Sequence, residues 1–453
     1  MPYVPHTPED IQDMLKVIGA ESVDDLFSDL PDNVRLKEPL NLPDGLCEEE
    51  VLRYFMQAAG KNHGQNELTS FLGGGVYDCS IPAAVDAIIS RSEFLTAYTP
   101  YQPEVSQGTL QAIYEWQTFV CRLTGLDVSN ASMYDGATAL GEAVLMALAA
   151  SRKKTVILPE TLNPRYRRVV ATMMRGMGVK VLVAPAGQSG TTDPDGLKKM
   201  MTDDIGCVVV QNPNYLGLVE QVDALSQITS GTKAILVAAV NPVSLSVLKS
   251  PAEYGAEIAV GEAQPFGIPC SWGGPLLGFI ACTDKLKRRI PGRVVGATTD
   301  NRGNSGYVLT LQTREQHIRR EKATSNICSN QGLNALRATV FMSMLGAEGL
   351  QELGEANLIR VTALRRAVEG IDGLELPYDG PVFNELVLRL QRPAAEFIKF
   401  ARSHGVLGGI DLEKFPVGTA NDLLVAVTEK RTAGEIENLA QLLKTFHAEA
   451  EVK

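Results

Sequence analysis

The sequence predicts an α/β fold, in which a large domain built on a mainly parallel sheet is followed by a small C-terminal α+β domain. Apolar runs rich in valine and isoleucine recur through the middle of the chain without strict polar alternation, as in strands that are covered on both faces. Helical patterns separate several of these runs, which implies right-handed crossovers between parallel strands. The predicted strands are 155–158, 179–184, 207–210, 234–240, 257–260 and 277–282, and the predicted helices between them include 137–150 and 164–175.

Both ends of the chain differ from this middle region. The N-terminal segment carries short helical patterns joined by proline-rich links, and its first helix is predicted to begin with Thr7 as N-cap and to stop at Gly19. After residue 330, the sequence predicts a long helix at 333–368, strands at 385–390 and 423–427, and helices at 393–403 and 433–447. The predicted domains are a helical arm (1–69), a large α/β domain (70–330) and a small α+β domain (331–453).

Composition excludes several classes of protein. The 453 residues contain 53 acidic and 42 basic side chains, a formal net charge of −11, so a phosphate backbone is repelled and no nucleic-acid partner is expected. Seven cysteines and five histidines are scattered without a C-x-x-C pair or a metal-ligand spacing, so we expect reduced thiols and no metal site. No signal-peptide pattern is present, and no apolar run approaches the ~18 residues that span a bilayer. A cytoplasmic protein without a membrane partner is expected.

A loop of small residues precedes the helix predicted at 137–150. Backbone N–H groups of Gly136, Ala137 and Thr138 at a helix N-terminus favour an anion such as a phosphate. The alternative is an ordinary glycine-containing loop with a threonine cap. The sequence therefore offers these three residues as a candidate phosphate loop.

A stiff, polar segment at 98–104 is a candidate for a site wall or a subunit contact. Its two prolines favour an extended backbone, and its other side chains are aromatic or form hydrogen bonds. The alternative is an ordinary surface connection, although such connections are more often rich in glycine, serine and lysine. The candidate residues are Tyr98, Thr99, Tyr101, Gln102 and Glu104.

Charge is concentrated at residues 312–322. One interpretation is a solvated helix face, since Glu315 and Arg319 stand four residues apart. The other is a cationic lip that binds a carboxylate or guides an acidic partner protein, and its candidate residues are Arg314, His317 and Arg319.

The segment after the strand at 257–260 lacks a residue that one large group of α/β enzymes requires. Fold-type-I enzymes that use pyridoxal phosphate (PLP) place their Schiff-base lysine just after such a strand. This chain has no lysine between Lys249 and Lys285, and Gln264 lacks the amine that the covalent bond needs. No PLP is therefore expected to be covalently bound to this chain.

Several long motifs, in matching order over essentially the whole chain, resemble those of the glycine cleavage system P-protein family. The resemblance is to subunit 1 of the enzymes in which this protein is split into two homologous chains. The motifs are MPYVPHT at 1–7, YTPYQPEVSQG at 98–108, YDGATA at 134–139, PFGIPCSWGGP at 265–275 and LQTREQHIRREKATSNICS at 311–329.

The resemblance implies a PLP-transferase-like fold for residues 70–330 and activity as one subunit of a glycine dehydrogenase (decarboxylating). In that reaction glycine is decarboxylated through PLP, and the aminomethyl group passes to the lipoyl arm of the H-protein. It also implies that subunit 2 carries the lysine and holds PLP, that Gln264 occupies the equivalent position here, and that two copies of each subunit form a heterotetramer. The T- and L-proteins are the other members of the system.

These implications leave the chain without a catalytic residue of its own and make it a contributor to the partner's active site. Tyr101 and Gln102 are expected to line the cofactor or glycine pocket. One departure limits the transfer of roles: the family commonly has Tyr-Asp-His after its glycine loop, where this chain has Tyr77, Asp78 and Cys79.

Two alternatives to this role stay open. The first is a self-sufficient PLP transferase that uses another lysine, such as Lys233 or Lys249. The second is a non-catalytic, structural or regulatory subunit that stabilises its partner without adding groups to the site.

Overall fold

The computed structural model of the chain describes residues 5–64 and 67–451, and side chains as far as residue 448. Contacts within the chain divide it into two compact units, residues 1–63 and residues 64–453. Residues 1–4, which belong to the first of the family-like motifs, lie outside the described residues. The domain boundaries near residues 69 and 330 are not tested by this division and stay predictions.

The first unit contains helix α1 (Pro8–Ile18), a 3₁₀ turn at Val23–Phe27 and helix α2 (Glu48–Ala59). The predicted start and stop of α1 are confirmed. The hydroxyl of Thr7 accepts a hydrogen bond from the N–H of Asp10, whose carboxylate accepts one from the N–H of Thr7. At the other end Gly19 has a φ of 81°, a left-handed conformation that glycine adopts at little cost.

The second unit alternates strands and helices over most of its length. In chain order its strands are β1 (Thr69–Ser70), β2 (Val128–Ser129), β3 (Thr155–Pro159), β4 (Lys180–Ala184), β5 (Ile205–Asn212), β6 (Ile235–Val240), β7 (Ile258–Glu262), β8 (Gly278–Cys282), β9 (Val294–Thr299), β10 (Ser305–Thr310), β11 (Leu374–Glu375), β12 (Glu385–Leu390), β13 (Val406–Leu407), β14 (Ile410–Asp411) and β15 (Asp422–Ala426). Each predicted strand of the middle region is confirmed.

The helices of the second unit follow the same order along the chain. They are α3 (Ala83–Ile89), α4 (Ser92–Leu95), α5 (Gln107–Thr124), α6 (Gly136–Ser151), α7 (Pro164–Arg175), α8 (Pro194–Met200), α9 (Val222–Thr229), α10 (Gln316–Arg319), α11 (Gly332–Val368), α12 (Ala394–Ser403) and α13 (Ala433–Glu451). Helix α11 is interrupted at Gly346, where the backbone is not helical. Among the described residues, no helix combines the length and the apolar composition that crossing a bilayer requires.

A seven-stranded sheet in the order β2-β8-β7-β6-β5-β3-β4 forms the centre of this unit. Strands β7, β6, β5, β3 and β4 pair in parallel, whereas β8 pairs antiparallel with β7 and with β2. The prediction of a mainly parallel sheet is thus confirmed. The carboxyl ends of the parallel strands meet at one edge, so the loops after β3, β5, β6 and β7 come together there.

Both faces of the central sheet are covered. All residues of β3, β6, β7 and β8 are buried, which explains why their sequences show no polar alternation. On one face, Leu140 and Val144 of α6 are fully buried against the strands. On the other face, Trp116 of α5 and Phe341 of α11 are part of a second apolar core.

A four-stranded antiparallel sheet in the order β11-β12-β15-β14 lies in the C-terminal part of the chain. Its apolar core includes Leu364 of α11, Phe397 of α12 and Phe446 of α13, all buried. A smaller apolar cluster joins this sheet to the loop after β5, where the rings of Tyr215 and Phe415 have centroids 4.9 Å apart.

A connecting segment, residues 77–80, binds the C-terminal part of the chain through a buried ion pair. Arg431 donates to Asp78 with an Nη2–Oδ2 distance of 2.8 Å, and the Nζ of Lys430 lies 2.6 Å from Oδ1 of Asp78. The hydroxyl of Thr428 donates to the backbone carbonyl of Asp78. Asp78 and Arg431 are each about 95% buried, so this carboxylate depends on its two cations.

We expect Asp78→Asn to lower the free energy of unfolding by about 3 kcal/mol, because the buried Arg431 loses the shorter of its two ion pairs and keeps only the pair with the less buried Glu435. Urea unfolding followed by circular dichroism measures this loss. The control is Asp223→Asn, which breaks a surface pair with Lys249 and should cost at most about 1 kcal/mol. Equal losses in the two variants would contradict a structural role for the buried pair.

Candidate functional site

Gln264 links the end of the central sheet to the connecting segment. It follows β7, is 99% buried, and accepts a hydrogen bond from the N–H of Tyr77 at 2.9 Å. Its side-chain nitrogen donates to the carbonyl oxygens of Tyr77 at 3.0 Å and of Ile268 at 2.7 Å. The side-chain amide therefore binds both the N–H and the carbonyl group of Tyr77, so Gln264 has a structural role at this position.

The N-terminus of α6 has the donors of an anion site, and a carboxylate of the same chain binds one of them. The N–H of Gly136 donates to Oε2 of Glu262 at 3.0 Å, and Oε1 of Glu262 accepts from the N–H groups of Gln264 and Leu277. These three bonds fix Glu262, the last residue of β7, between the helix and β8.

A second of the three predicted donors is also used within the chain. The N–H of Thr138 donates to Oδ1 of Asp135 at 2.7 Å, and Ala137 between them is buried. A phosphate at the predicted positions Gly136, Ala137 and Thr138 would therefore have to displace Glu262 and would lie beside two carboxylates.

A second buried carboxyl group, Glu385, begins strand β12. It accepts hydrogen bonds from the N–H of Gly74 at 2.6 Å and from the hydroxyl of Tyr77 at 2.8 Å. Burial raises the pKa of Glu385 to about 7 and outweighs these two bonds. Burial also raises the pKa of Glu262 to about 7, although three N–H groups favour its ionised form.

Both carboxyl groups line a small cavity at the carboxyl ends of the parallel strands, here named the polar cavity. Its volume is about 40 Å³. Asn384 also lines it and is 95% buried, yet its side-chain amide makes no hydrogen bond within the described part of the chain. The same holds for the hydroxyl of Tyr215, which is 92% buried.

A separate group of side chains, here named the Arg293 cluster, consists of Tyr101, Arg293, Glu315, Cys328 and Ser329. Arg293 is 97% buried, and its guanidinium donates to Sγ of Cys328 at 3.2 Å, Oγ of Ser329 at 2.9 Å and the hydroxyl of Tyr101 at 3.1 Å. Its Nε lies 3.4 Å from a carboxylate oxygen of Glu315. One buried cation thus joins three segments that are far apart in sequence.

Three of the sequence-predicted residues come together at this cluster. Tyr101 belongs to it, and the ring of His317 packs edge-on against Tyr101 at a centroid distance of 6.2 Å. Nδ1 of His317 lies 3.6 Å from Glu315, and the hydroxyl of Thr99 is hydrogen-bonded to Ser329. Burial opposes ionisation of the Cys328 thiol, but the hydrogen bond and the charge of Arg293 outweigh it and lower the pKa of that thiol.

The other predicted residues have different surroundings. Arg314 donates to the carbonyl oxygens of Ile290 and Gly292, so its guanidinium supports the backbone just before Arg293. Arg319 is exposed and donates to the carbonyl of Thr313. The remaining three, Tyr98, Gln102 and Glu104, are exposed at the surface.

Two local predictions are wrong. The solvated helix face at 312–322 does not form, because Glu315 points inward, is 94% buried and pairs with Arg293, and only short turns such as α10 surround it. The segment at 98–104 is predicted to be extended throughout, but Pro103–Val105 at its end forms a 3₁₀ turn. Proline suits the first position of such a turn because its φ is already helical and its missing N–H has no partner there.

A larger cavity of about 210 Å³ lies beside the Arg293 cluster. Its wall includes Tyr98, Thr99, Arg293, Cys328 and Leu333, so apolar surface surrounds a few polar groups. Pockets of this composition suit a small organic group or the side chains of another protein.

Sequence reasoning missed Arg293 and Glu315 as the centre of this site, because neither stands in a local pattern that marks a buried charge.

Comparison with known proteins gives a consistent result. The family model described as glycine cleavage system P-protein matches residues 1–443. A protein of Geobacillus sp. (strain WCH70), named probable glycine dehydrogenase (decarboxylating) subunit 1, is 48% identical over 446 residues, which cover 98% of this chain and 99% of that protein. The crystal structure of glycine decarboxylase (P-protein) of the glycine cleavage system, in inhibitor-bound form, has a TM-score of 0.89 and 40% identity, covering 98% of this chain and 100% of that one.

A more distant structure is informative for the fold alone. The sphingosine-1-phosphate lyase of Burkholderia pseudomallei has a TM-score of 0.67 and 17% identity, covering 93% of this chain and 97% of that one. The architecture is thus that of the fold-type-I PLP-dependent enzymes, as the sequence predicts. Within that class, the chain belongs to the glycine cleavage system P-protein family.

The residues at the edge of the sheet do not fit PLP in their present arrangement. Gln264 has no amine for the covalent link, and Glu262 binds the N–H of Gly136, where a phosphate would need it. The polar cavity, at about 40 Å³, has room for water-sized species only. The other lysines considered from the sequence are Lys249, which pairs with Asp223 at the surface, and the exposed Lys233.

Stability should depend on pH through Glu385. Its pKa is about 7 in the folded chain and about 4.5 when exposed, so the folded state binds the extra proton and stability falls as pH rises from about 4.5 to 7. Glu385→Gln removes this contribution, while that of Glu262, whose pKa is also about 7, remains. The stability of the variant should therefore fall by about 2–3 kcal/mol less than that of the unchanged chain between pH 5 and pH 8. Urea unfolding at both pH values tests this. The exposed Glu352→Gln is the control, and a parallel pH response in all three proteins would contradict the expectation.

Gln264→Lys should not create a cofactor-binding chain. The lysine loses the hydrogen bond from Tyr77 and its amine enters a fully buried position, so a lower unfolding midpoint is expected. Incubation with PLP, borohydride reduction and peptide mapping should find no pyridoxyl group at residue 264. A pyridoxyl-lysine at that position would show that the edge of the sheet can still receive the cofactor.

Proposed function

We propose that this chain is one subunit of a heteromeric glycine dehydrogenase (decarboxylating) and that it completes the active site of a homologous, lysine-bearing subunit 2. In this proposal the partner subunit holds PLP covalently and this chain holds none. The observation that supports it is the contrast between two places in the chain. The edge of the sheet is occupied by Gln264 and Glu262, while the Arg293 cluster arranges polar groups beside a cavity near the surface.

The Arg293 cluster gives the chain a rigid contribution to a shared site. Arg293 holds Tyr101 on one side and Ser329 on the other, so the two segments keep their relative positions. Tyr101 remains 55% exposed, so part of its aromatic ring is available for contact with a neighbouring chain. Rigid placement matters because a displacement of about 1 Å of a site residue can cost about a hundredfold in rate.

The proposed reaction is decarboxylation of glycine with transfer of the aminomethyl group to the lipoyl arm of the H-protein. The exposed cations Arg319, Arg320 and Lys322 form a local basic patch on an otherwise acidic chain. Such a patch allows an acidic H-protein to dock although the net charges repel. Assembly into a heterotetramer, a cytoplasmic location and cooperation with the T- and L-proteins belong to the same proposal.

The first test compares this chain alone with the assembled enzyme. We expect glycine-dependent release of carbon dioxide only when the lysine-bearing subunit and lipoylated H-protein are both present, with PLP recovered on the partner after borohydride reduction. Release of carbon dioxide by the isolated chain would contradict the proposal that the reaction requires the lysine-bearing subunit.

The second test changes the Arg293 cluster inside the assembled enzyme. Arg293→Lys keeps the charge but loses the planar fork that holds Tyr101 and Ser329, so kcat should fall about a hundredfold with unchanged assembly on size exclusion. The exposed Arg402→Lys is the matched control. Turnover that survives this change and alanine substitution at Tyr101, Gln102 and Arg319 would favour the purely structural subunit.

A further inference from the structure

The first compact unit of the chain, whose residues 5–63 are here named the acidic arm, has no apolar core of its own. Leu15 is the only side chain between residues 5 and 63 that is buried. Nevertheless, more than half of the large hydrophobic side chains that are exposed in the described part of the chain lie between Met14 and Met56. Helices as short as α1 and α2 are only marginally stable in water unless they pack against another surface. The arm therefore needs a surface that covers its apolar side chains.

Helix α2 shows which side of the arm would face that surface. The helical period places Phe55 at the centre of a wide apolar face and puts Glu49, Arg53 and Gln57 together on the opposite side. Phe55 is 64% exposed, and no residue of α2 is buried. The stretch before α2 adds further exposed apolar side chains, which are Val34, Leu36, Leu40, Leu42 and Leu46.

The exposed apolar surface of the arm is large enough for a stable complex. At roughly 60–120 Å² for each fully exposed side chain, the exposed hydrophobic residues from Met14 to Met56 together offer roughly 600–1,200 Å². Each partner in a stable complex buries about 800 Å², whereas brief encounters with a carrier protein bury less. The area thus fits a lasting contact between subunits.

The charge of the arm narrows the choice of partner. The arm contains 13 acidic and 5 basic side chains, so it carries −8 of the formal net charge of −11. A second copy of this chain has the same charge and is repelled, and an acidic H-protein is repelled for the same reason. The chemistry that fits is an apolar groove rimmed by lysine or arginine side chains on a different protein.

We propose that the acidic arm docks in an apolar, basic-rimmed groove on the lysine-bearing subunit 2 and supplies most of the affinity of that contact. This inference rests on the proposed function, because it takes subunit 2 as the partner. It separates two tasks within the chain. The arm holds the two subunits together, while the Arg293 cluster serves the shared active site.

The experiment measures the affinity of the full-length chain for purified subunit 2 by titration calorimetry. Phe55→Ala removes the centre of the apolar face of α2 and should weaken binding about thirtyfold, as expected for an aromatic side chain buried at an interface. The matched control is Gln57→Ala on the opposite side of the same helix, which should bind within about twofold of the unchanged chain. Equal affinities of Phe55→Ala and the unchanged chain would overturn the proposal.

The isolated variants show whether the arm packs elsewhere. Because Phe55 is exposed, Phe55→Ala without subunit 2 should keep the urea midpoint and the molar mass of the unchanged chain. A lower midpoint would mean that the arm packs against its own chain. A changed molar mass by light scattering would assign the arm to a second copy, and either result would overturn the proposal.

Ionic strength tests the basic rim of the groove. The rate constant for association with subunit 2 should fall about tenfold or more between low salt and about 0.5 M sodium chloride, since opposite charges steer the encounter. A rate constant that does not respond to salt would overturn this part of the inference.

Failure of this inference differs from failure of the proposed function. If subunit 2 binds the unchanged chain and Phe55→Ala equally well, the docking role of the arm is wrong and the shared active site still stands. If subunit 2 does not bind the unchanged chain, the proposed function is wrong and the docking role falls with it.

Discussion

The hydrogen bonds of Glu262 are the interaction on which the arrangement of this chain depends. One carboxylate at the end of β7 binds the first N–H of α6 and the N–H groups of Gln264 and Leu277. It thereby satisfies from inside the chain a helix terminus whose N–H groups could otherwise bind an anion such as a phosphate. Gln264 is held in place by the same carboxylate and in turn fixes the backbone of Tyr77. The edge of the sheet is consequently closed by the chain itself.

Two polar regions with opposite electrostatics result. At the edge of the sheet, acidic groups are buried among uncharged donors, and their pKa values are raised by burial. At the Arg293 cluster, a buried cation is paired with Glu315 and surrounded by hydroxyl, thiol and phenol groups that it binds directly. The first region holds elements of the fold together. The second presents Tyr101 toward solvent on a fixed base, which suits a surface that completes another site.

Local patterns in the sequence were sufficient for six strands of the central sheet, for the helices at 137–150 and 164–175 and for the missing lysine, because each depends on neighbouring residues. They did not predict helix α5 or the hairpin of β9 and β10. They were insufficient for the contacts that define the two polar regions. Glu385 binds Gly74 across 311 positions of sequence, and Asp78 meets Arg431 across 353. The charged segment at 312–322 suggested a solvated helix because Glu315 and Arg319 have helical spacing, but a distant buried arginine decides where Glu315 lies. No periodicity reveals such a partner, whereas long matching motifs identified the family.

The two-sided use of Gln264 has an evolutionary consequence. Substitution of Gln264 by lysine would remove hydrogen bonds to Tyr77 and leave Glu262 bound at the helix terminus, so this single change is expected to lower stability before any cofactor can bind. Changing Glu262 first would leave three N–H groups without an acceptor. Each single change is therefore expected to give a less stable chain. In the proposed assembly, the folding stability of this chain thus favours keeping Gln264 and Glu262, and with them the division of the active site between two subunits.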